Sequence, residues 1–190
     1  MSRTIRAAGV SAALLTAGTL LAATAPPAAA AGTLVAVVRV VNGTGGSQLV
    51  YTAQGDVDNV ILLTDAGQTV ILDDIVPIKA GPGCAAVPGD TTQVACTRPL
   101  GWSQLRITAG AGDDSVNNAT GHPMRADGGA GNDELTGGLG ADILIGGPGD
   151  DQLSGIRGAA VLDGGADATA AGDRCWSFYG LRDTKIDCER

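Results

Sequence analysis

The composition and charge of this chain of 190 residues argue against a protein with a deep core and against partners that carry negative charge. With 30 glycines and 3 % aromatic residues, few large side chains are available for a deep core. Either much of the chain is disordered or it adopts a thin, repetitive architecture, and regularly placed Val, Ile and Leu favour the second. The formal net charge of −8 argues against nucleic acids and anionic membrane surfaces as partners.

Residues 1–31 have the order of a secretory signal peptide. Arg3 and Arg6 form a basic start, an apolar run follows over 7–25, and two prolines precede a run of alanines. We place the cleavage after Ala31, which predicts a secreted, extracellular protein with no membrane insertion once the leader is removed. A membrane anchor is the weaker alternative, because the run is rich in Ala and Gly and stops at the prolines.

The region 32–108 predicts short β-strands separated by Gly, Asp and Asn. The expected strands cover 34–41, 48–52, 59–63, 69–72 and 104–108. No stretch after the leader has convincing helical periodicity. We therefore expect an N-terminal β-rich region that caps or extends the segment after it.

From residue 128 the chain divides into nonapeptides: GGAGNDELT, GGLGADILI, GGPGDDQLS and GIRGAAVLD. The fourth position is always glycine, and the eighth is always leucine, at Leu135, Leu144, Leu153 and Leu162. The sixth position holds Asp133, Asp142 and Asp151, then Ala160. Upstream, AGAGDDSVN over 109–117 has the same form with Asp114 sixth, but one extra residue separates its frame from the later one.

These columns indicate that each turn supplies metal ligands. Glycines at the first, second and fourth positions allow positive φ and let the turn carbonyls face inward. A carboxylate at the sixth position adds a charged oxygen, and Ca²⁺ prefers six to eight such hard ligands, so each turn offers half a site. The eighth residue should lie in a short strand and point into the interior.

The nonapeptides resemble the repeats-in-toxin (RTX) family, also called haemolysin-type calcium-binding repeats. The resemblance implies an all-β fold, a right-handed parallel β-roll or β-solenoid with two repeats per coil, over 109–170. It also implies Ca²⁺ between turns stacked on one side, ligated by carboxylates and turn carbonyls. Unlike typical RTX proteins, this chain begins with a leader and shows no toxin or hydrolase domain. The candidate ligands are Asp114, Gly129, Gly131, Asn132, Asp133, Gly138, Gly140, Asp142, Gly147, Gly149, Asp150 and Asp151.

Two repeats per coil predict unequal sides. One side would stack the turns of Asp114, Asp133 and Asp151, with the extra residue able to spoil the first pair. The other side would carry Asp142 without an acidic partner and with Arg157 nearby. Asp113, Asn132 and Asp150 share the fifth position, where contact with the metal and a purely structural role are both open. Asp167 and Asp173 are interpreted as ordinary turn residues.

The four cysteines allow three disulfide pairings. Their short separations and the leader favour Cys84 with Cys96 and Cys175 with Cys188. The second pair would close a C-terminal cap over 171–190. A zinc site is the weaker alternative, because the sequence has no CxxC motif.

The sequence therefore predicts a secreted calcium-binding protein rather than an enzyme. His122 is interpreted as a loop residue, since no nucleophile motif accompanies it. The alternatives are a polysaccharide-active enzyme on a β-solenoid and an ice-binding protein, and the latter lacks a regular threonine ladder. The sequence does not identify a protein or cell-surface glycan partner.

Overall fold

The computed structural model describes residues 36–98, 101–179 and 182–189. Within these ranges the chain is all-β and contains no helix. It follows that no described helix is long and apolar enough to cross a membrane. The predicted signal peptide and the first two residues of the predicted strand 34–41 lie outside the described residues.

The N-terminal region forms seven strands, of which four correspond to the predicted strands. Three strand positions were not predicted, because those strands are short and lack long apolar runs. The strands are Ala36–Gly43 (β1), Gly46–Thr52 (β2), Val60–Ala66 (β3), Thr69–Asp73 (β4), Ile78–Ala80 (β5), Cys84–Ala86 (β6) and Gln93–Thr97 (β7).

The rest of the described chain alternates between two sheets. Each coil contributes one longer and one shorter strand, in the order Gln104–Ala111 (β8), Ser115–Asn118 (β9), Met124–Ala130 (β10), Glu134–Thr136 (β11), Ile143–Gly149 (β12), Gln152–Gly155 (β13), Val161–Asp167 (β14), Arg174–Ser177 (β15) and Thr184–Ile186 (β16). The sheet orders are β16-β14-β12-β10-β8-β2-β1-β5 and β15-β13-β11-β9-β3-β4-β7-β6. Strands of successive coils pair in parallel, which makes a β-roll and confirms the predicted fold class.

The eighth-position leucines fill the space between the two sheets. Leu135, Leu144, Leu153 and Leu162 are all fully buried, as predicted. Burying a leucine side chain contributes about 2 kcal/mol of transfer free energy, so one per repeat builds a thin but continuous core. The same core extends N-terminally through Leu49 and Tyr51 of β2.

The N-terminal strands extend the roll. β2 pairs in parallel with β8 and β3 with β9, so the two strands supply a coil before the first nonapeptide. The remaining N-terminal strands add to the sheets mainly by antiparallel pairing. The boundary at residue 108 falls inside β8, and the division into domains stays a prediction.

Both predicted disulfides are confirmed. Cys84 and Cys96 face each other across β6 and β7, and Cys175 of β15 is joined to Cys188, beyond β16. Because β15 and β16 belong to different sheets, the second disulfide ties the two sheets together at the C-terminal end. The described residues contain no free cysteine.

Candidate calcium sites between stacked turns

Turns at opposite edges of the sheets form two stacks. The first side consists of the turns that lead from β8 to β9, β10 to β11, β12 to β13 and β14 to β15. The pairing registers place Asp114, Asp133 and Asp151 at equivalent positions of this side, just before β9, β11 and β13. The second side consists of the turns that return to the other sheet, and it carries Asp142. The aspartates are therefore distributed over the two sides as predicted, and unequal calcium binding by the two sides stays a prediction.

The extra residue of the first repeat lies on the second side. β8 matches β10 and β9 matches β11 without a slip, so the turns that carry Asp114 and Asp133 have equal length. Between Asn117 and Arg125 there is one residue more than between their partners Thr136 and Ile143. The insertion therefore does not disturb the pair Asp114 and Asp133.

A ladder of hydrogen bonds runs along the first side. The backbone N–H of Asp114 donates to Asp133 Oδ1 at 2.8 Å, and that of Asp133 donates to Asp151 Oδ1 at 2.7 Å. All three side chains are at most 2 % exposed. One oxygen of the Asp133 and Asp151 carboxylates thus holds the preceding turn in place.

The other oxygen of each carboxylate is left without a partner. Oδ2 of Asp114, Asp133 and Asp151 is buried and accepts no hydrogen bond. An uncompensated buried charge is costly, and a cation is one way to satisfy it. These unpaired carboxylate oxygens are therefore available to a cation.

Backbone carbonyls face the same stack. A methyl group on Gly147 would lie 2.0 Å from the carbonyl oxygen of Gly129, and one on Gly149 would lie 1.8 Å from that of Gly131. Oxygen atoms of one turn therefore point at the glycines of the next, where no side chain fits. Carboxylate and carbonyl oxygens are the hard ligands that Ca²⁺ prefers, so the residues present fit a calcium ion.

Residues 127–162 match the family model of the RTX calcium-binding nonapeptide repeat, in four copies. This segment is therefore similar to RTX repeats. Repeats of this family bind Ca²⁺, so the match supports calcium as the ion for residues 127–162. No curated protein and no solved structure matches the chain.

The fifth-position residues of successive repeats form a second, exposed ladder. The N–H of Asn132 donates to Asp113 Oδ1 at 2.8 Å, and the N–H of Asp150 donates to Asn132 Oδ1 at 2.9 Å. Asp150 in turn accepts from the N–H groups of Ala168 and Thr169. These side chains brace the turns from outside, and ligation by Asn132 and Asp150 stays a prediction.

Asp142, on the second side, has both oxygens occupied. Oδ1 accepts from the N–H of Met124 and Oδ2 from the N–H of Gly138, each at 2.8 Å. The equivalent residue of the next coil is Ala160, which offers no carboxylate. Asp142 is therefore well placed to hold the turn, and its role as a ligand with Gly138 and Gly140 stays a prediction.

At the N-terminal end an asparagine takes the aspartate's position. Asn59 precedes β3 as Asp114 precedes β9. Its Nδ2 donates to Asp114 Oδ1 at 2.8 Å and to the carbonyl oxygens of Val57 and Ala109. Asn59 thus places a hydrogen-bonded, uncharged amide where the later turns place a carboxylate oxygen without a partner. The stack of candidate sites therefore begins at Asp114.

The interpretation of Asp173 as an ordinary turn residue is wrong. Its side chain is fully buried, its Oδ1 accepts from the N–H of Asp151 at 2.7 Å, and its Oδ2 has no partner. It continues the first-side ladder, since Cys175 pairs with Leu153. In the sequence, Asp173 precedes Cys175 by two residues, as the sixth position of a repeat precedes the eighth. The longer turn 168–172 breaks the nine-residue frame, so this correspondence was not recognised from the sequence.

Asp183 was also missed by sequence reasoning. It precedes β16, and its Oδ1 accepts from the N–H of Ala160 at 2.8 Å. Its Oδ2 is buried without a partner. Asp183 therefore supports the second-side turn in which Ala160 replaces the usual aspartate.

Burial of the ladder raises the pKa of its carboxyl groups. The pKa of Asp133 rises to about 7, because the group is desolvated and lies near Asp151 and Asp114. The pKa of Asp151 rises to about 6 for the same reason, with a contribution from Asp173. The pKa of Asp114 is also raised, chiefly by burial. Without a cation, part of this ladder holds protons near neutral pH.

We therefore expect calcium to reverse the pH dependence of stability. A folded-state pKa above the ordinary value of 3.8 favours the folded state at low pH, and that advantage is lost as pH rises through about 6 to 7. In chelator, the melting temperature should fall from pH 5 to pH 8. With saturating Ca²⁺ it should rise over the same range, because the ion binds the ionised form. Thermal melts followed by circular dichroism measure both trends, and parallel trends would contradict the expectation.

Proposed function

We propose that the protein is a secreted calcium-binding module whose first-side turns hold Ca²⁺ and thereby lock successive coils of the roll. The observation that carries the proposal is the row of buried carboxylate oxygens without partners at Asp114, Asp133 and Asp151. We assign one ion to the pair Asp114 and Asp133 and a second to the pair Asp133 and Asp151.

Glycine carbonyls complete the ligand sets. Gly129, Gly131, Gly147 and Gly149 are among the repeat glycines whose carbonyls or close contacts lie in this stack, and the carbonyls of Gly110 and Gly112 approach Gly129 and Gly131 in the same way. Each site would then combine two carboxylates with uncharged oxygens, which suits a divalent cation. Calcium supplies positive charge between the turns, and the protein residues fix the spacing of the oxygens around it.

Secretion is supported by the leader sequence and by the two disulfides, which persist in oxidising compartments. Extracellular modules bind Ca²⁺ with dissociation constants on the order of 10⁻⁴ to 10⁻³ M, and we expect affinities in that range. We assign the protein no catalytic role. The calcium-binding portion is proposed to span 109–170, with 32–108 extending the roll and 171–190 closing it.

Calorimetric titration of the purified, chelator-treated protein with CaCl₂ tests the proposal. We expect at least two calcium ions per chain and much weaker binding of Mg²⁺, which demands a smaller octahedral shell. A MgCl₂ titration at equal ionic strength is the control. Absence of calcium heat, or equal binding of both ions, would contradict the proposal.

A further inference from the structure

The last first-side turn departs from the repeat by carrying an extra acid. Asp167 pairs with Gly149, so it occupies the fourth position, where the preceding turns have glycine. Asp173 occupies the position of Asp151 in the same turn. Both residues lie beyond 127–162, the part of the chain that matches the RTX repeat.

Glu189 supplies a further rung after the last aspartate of the ladder. The N–H of Asp173 donates to Glu189 Oε2 at 2.6 Å, just as the N–H of Asp151 donates to Asp173 Oδ1. The N–H of Glu189 also donates to the carbonyl oxygen of Asp173 at 2.9 Å. A methyl group on Gly172 would lie 2.5 Å from Glu189 Oε2, so glycine at this position leaves room for the carboxylate.

Three carboxylates therefore converge at the C-terminal end. Oxygen atoms of Asp167, Asp173 and Glu189 all lie within 4.8 Å of one another. Asp173 is 0 % exposed, and its Oδ2 has no hydrogen-bond partner. In the described part of the chain, the one ion pair joins His122 to Asp65, so no basic side chain forms an ion pair with this cluster.

A backbone oxygen faces the same place. A methyl group on Gly164 would lie 2.3 Å from Asp173 Oδ2 and 2.1 Å from the carbonyl oxygen of Asp187. The two oxygens therefore approach one glycine from the same direction. Three carboxylates and a carbonyl form a hard-oxygen ligand set for a divalent cation.

The Cys175–Cys188 disulfide connects the two segments that carry these oxygens. Cys175 follows Asp173 by two residues, and Cys188 directly precedes Glu189. We propose that Asp167, Asp173 and Glu189 form a terminal calcium site, and that this disulfide holds Glu189 in position for it. The proposal rests on the proposed function only for the identity of the ion.

The ion and the disulfide should then stabilise each other. Both favour the arrangement in which the segment of Glu189 lies against that of Asp173, and such coupling is reciprocal. Bound Ca²⁺ should therefore slow reduction of Cys175–Cys188. Cys84–Cys96 joins β6 and β7 of the N-terminal region and provides an internal comparison in the same molecule.

The experiment follows reduction of each disulfide by dithiothreitol, with thiols trapped by alkylation and assigned by peptide mapping. In the purified protein, we expect saturating Ca²⁺ to slow reduction of Cys175–Cys188 by about tenfold relative to chelator, a typical size for coupling between sites. Reduction of Cys84–Cys96 should change far less. Glu189→Gln should lose most of the protection, and Glu134→Gln, which alters an exposed acid on β11, should retain it.

Two results would overturn the terminal site. One is an equal rate of Cys175–Cys188 reduction in calcium and in chelator, and the other is full protection in Glu189→Gln. Calorimetry separates this failure from failure of the proposed function. If only the terminal site is wrong, the unaltered protein still binds calcium and Glu189→Gln binds the same number of ions. If the unaltered protein binds no calcium, the stacked-turn sites are wrong as well.

Discussion

Asp133→Asn should remove most of the calcium binding of the first side, whereas Asp142→Asn should leave the number of bound ions unchanged. Asp133 lies between Asp114 and Asp151 in the ladder, so its unpaired oxygen is available to both proposed sites. Ligand charge sets calcium affinity, and loss of one carboxylate should weaken each site by at least about tenfold.

Asparagine is the informative replacement because the protein already has an asparagine, Asn59, at the equivalent position of an earlier turn. Asn59 stands where later turns have aspartate, and its uncharged amide donates to nearby carbonyl oxygens. The amide oxygen that remains at position 133 would still accept from the N–H of Asp114, which preserves that rung of the ladder. The variant should therefore stay folded while losing calcium.

Asp142→Asn is the matched control on the second side. Both oxygens of Asp142 accept backbone hydrogen bonds, from Met124 and Gly138, so the substitution should cost about 1 to 3 kcal/mol of stability through one lost acceptor. Calorimetric titration counts the ions, and thermal melts measure the stability. Equal losses of calcium from the two variants would contradict the sidedness of the roll.

Removal of calcium should lower the melting temperature by about 10 °C or more at neutral pH. An ion that binds only the folded state stabilises it by about 2.7 kcal/mol per site when its concentration is about 100 times the dissociation constant. Two such sites contribute a large fraction of the roughly 5 to 15 kcal/mol that separates folded from unfolded states. For a chain of this size, each kcal/mol shifts the midpoint by about 2 to 4 °C.

The structure explains why this protein should depend so strongly on the ion. One leucine per repeat fills the interior of the coils, and the acidic side chains of Asp114, Asp133 and Asp151 are buried in successive turns of the first side. In chelator, the cost of these buried carboxyl groups with unpaired oxygens, together with the thin core, should loosen the coils first. Melts in CaCl₂, in chelator and in NaCl of equal ionic strength measure the effect, since salt alone screens surface charge. Identical midpoints in calcium and chelator would contradict it.

The sequence by itself determined the repeating part of the fold. The nine-residue period places a glycine-rich turn and a short strand in each unit, and both are set by local backbone preferences. Leucine at the eighth position of each repeat predicted the buried row Leu135, Leu144, Leu153 and Leu162, because one face of each strand must be covered. The same regularity predicted which aspartates share a side. The disulfide pairs followed from short separations along the chain.

Only the tertiary structure decided how the ends join the repeats. Leu49 of β2 pairs with Leu105 of β8 although they are far apart in the chain, and no local pattern encodes that register. The longer turn 168–172 broke the period, so that Asp173 was recognised only through the pairing of Cys175 with Leu153. Glu189 joins the ladder because the last strand and the second disulfide carry it back to Asp173. Local preferences specify turns and strands, but contacts between distant segments depend on packing and hydrogen bonds that exist only once the coils are stacked.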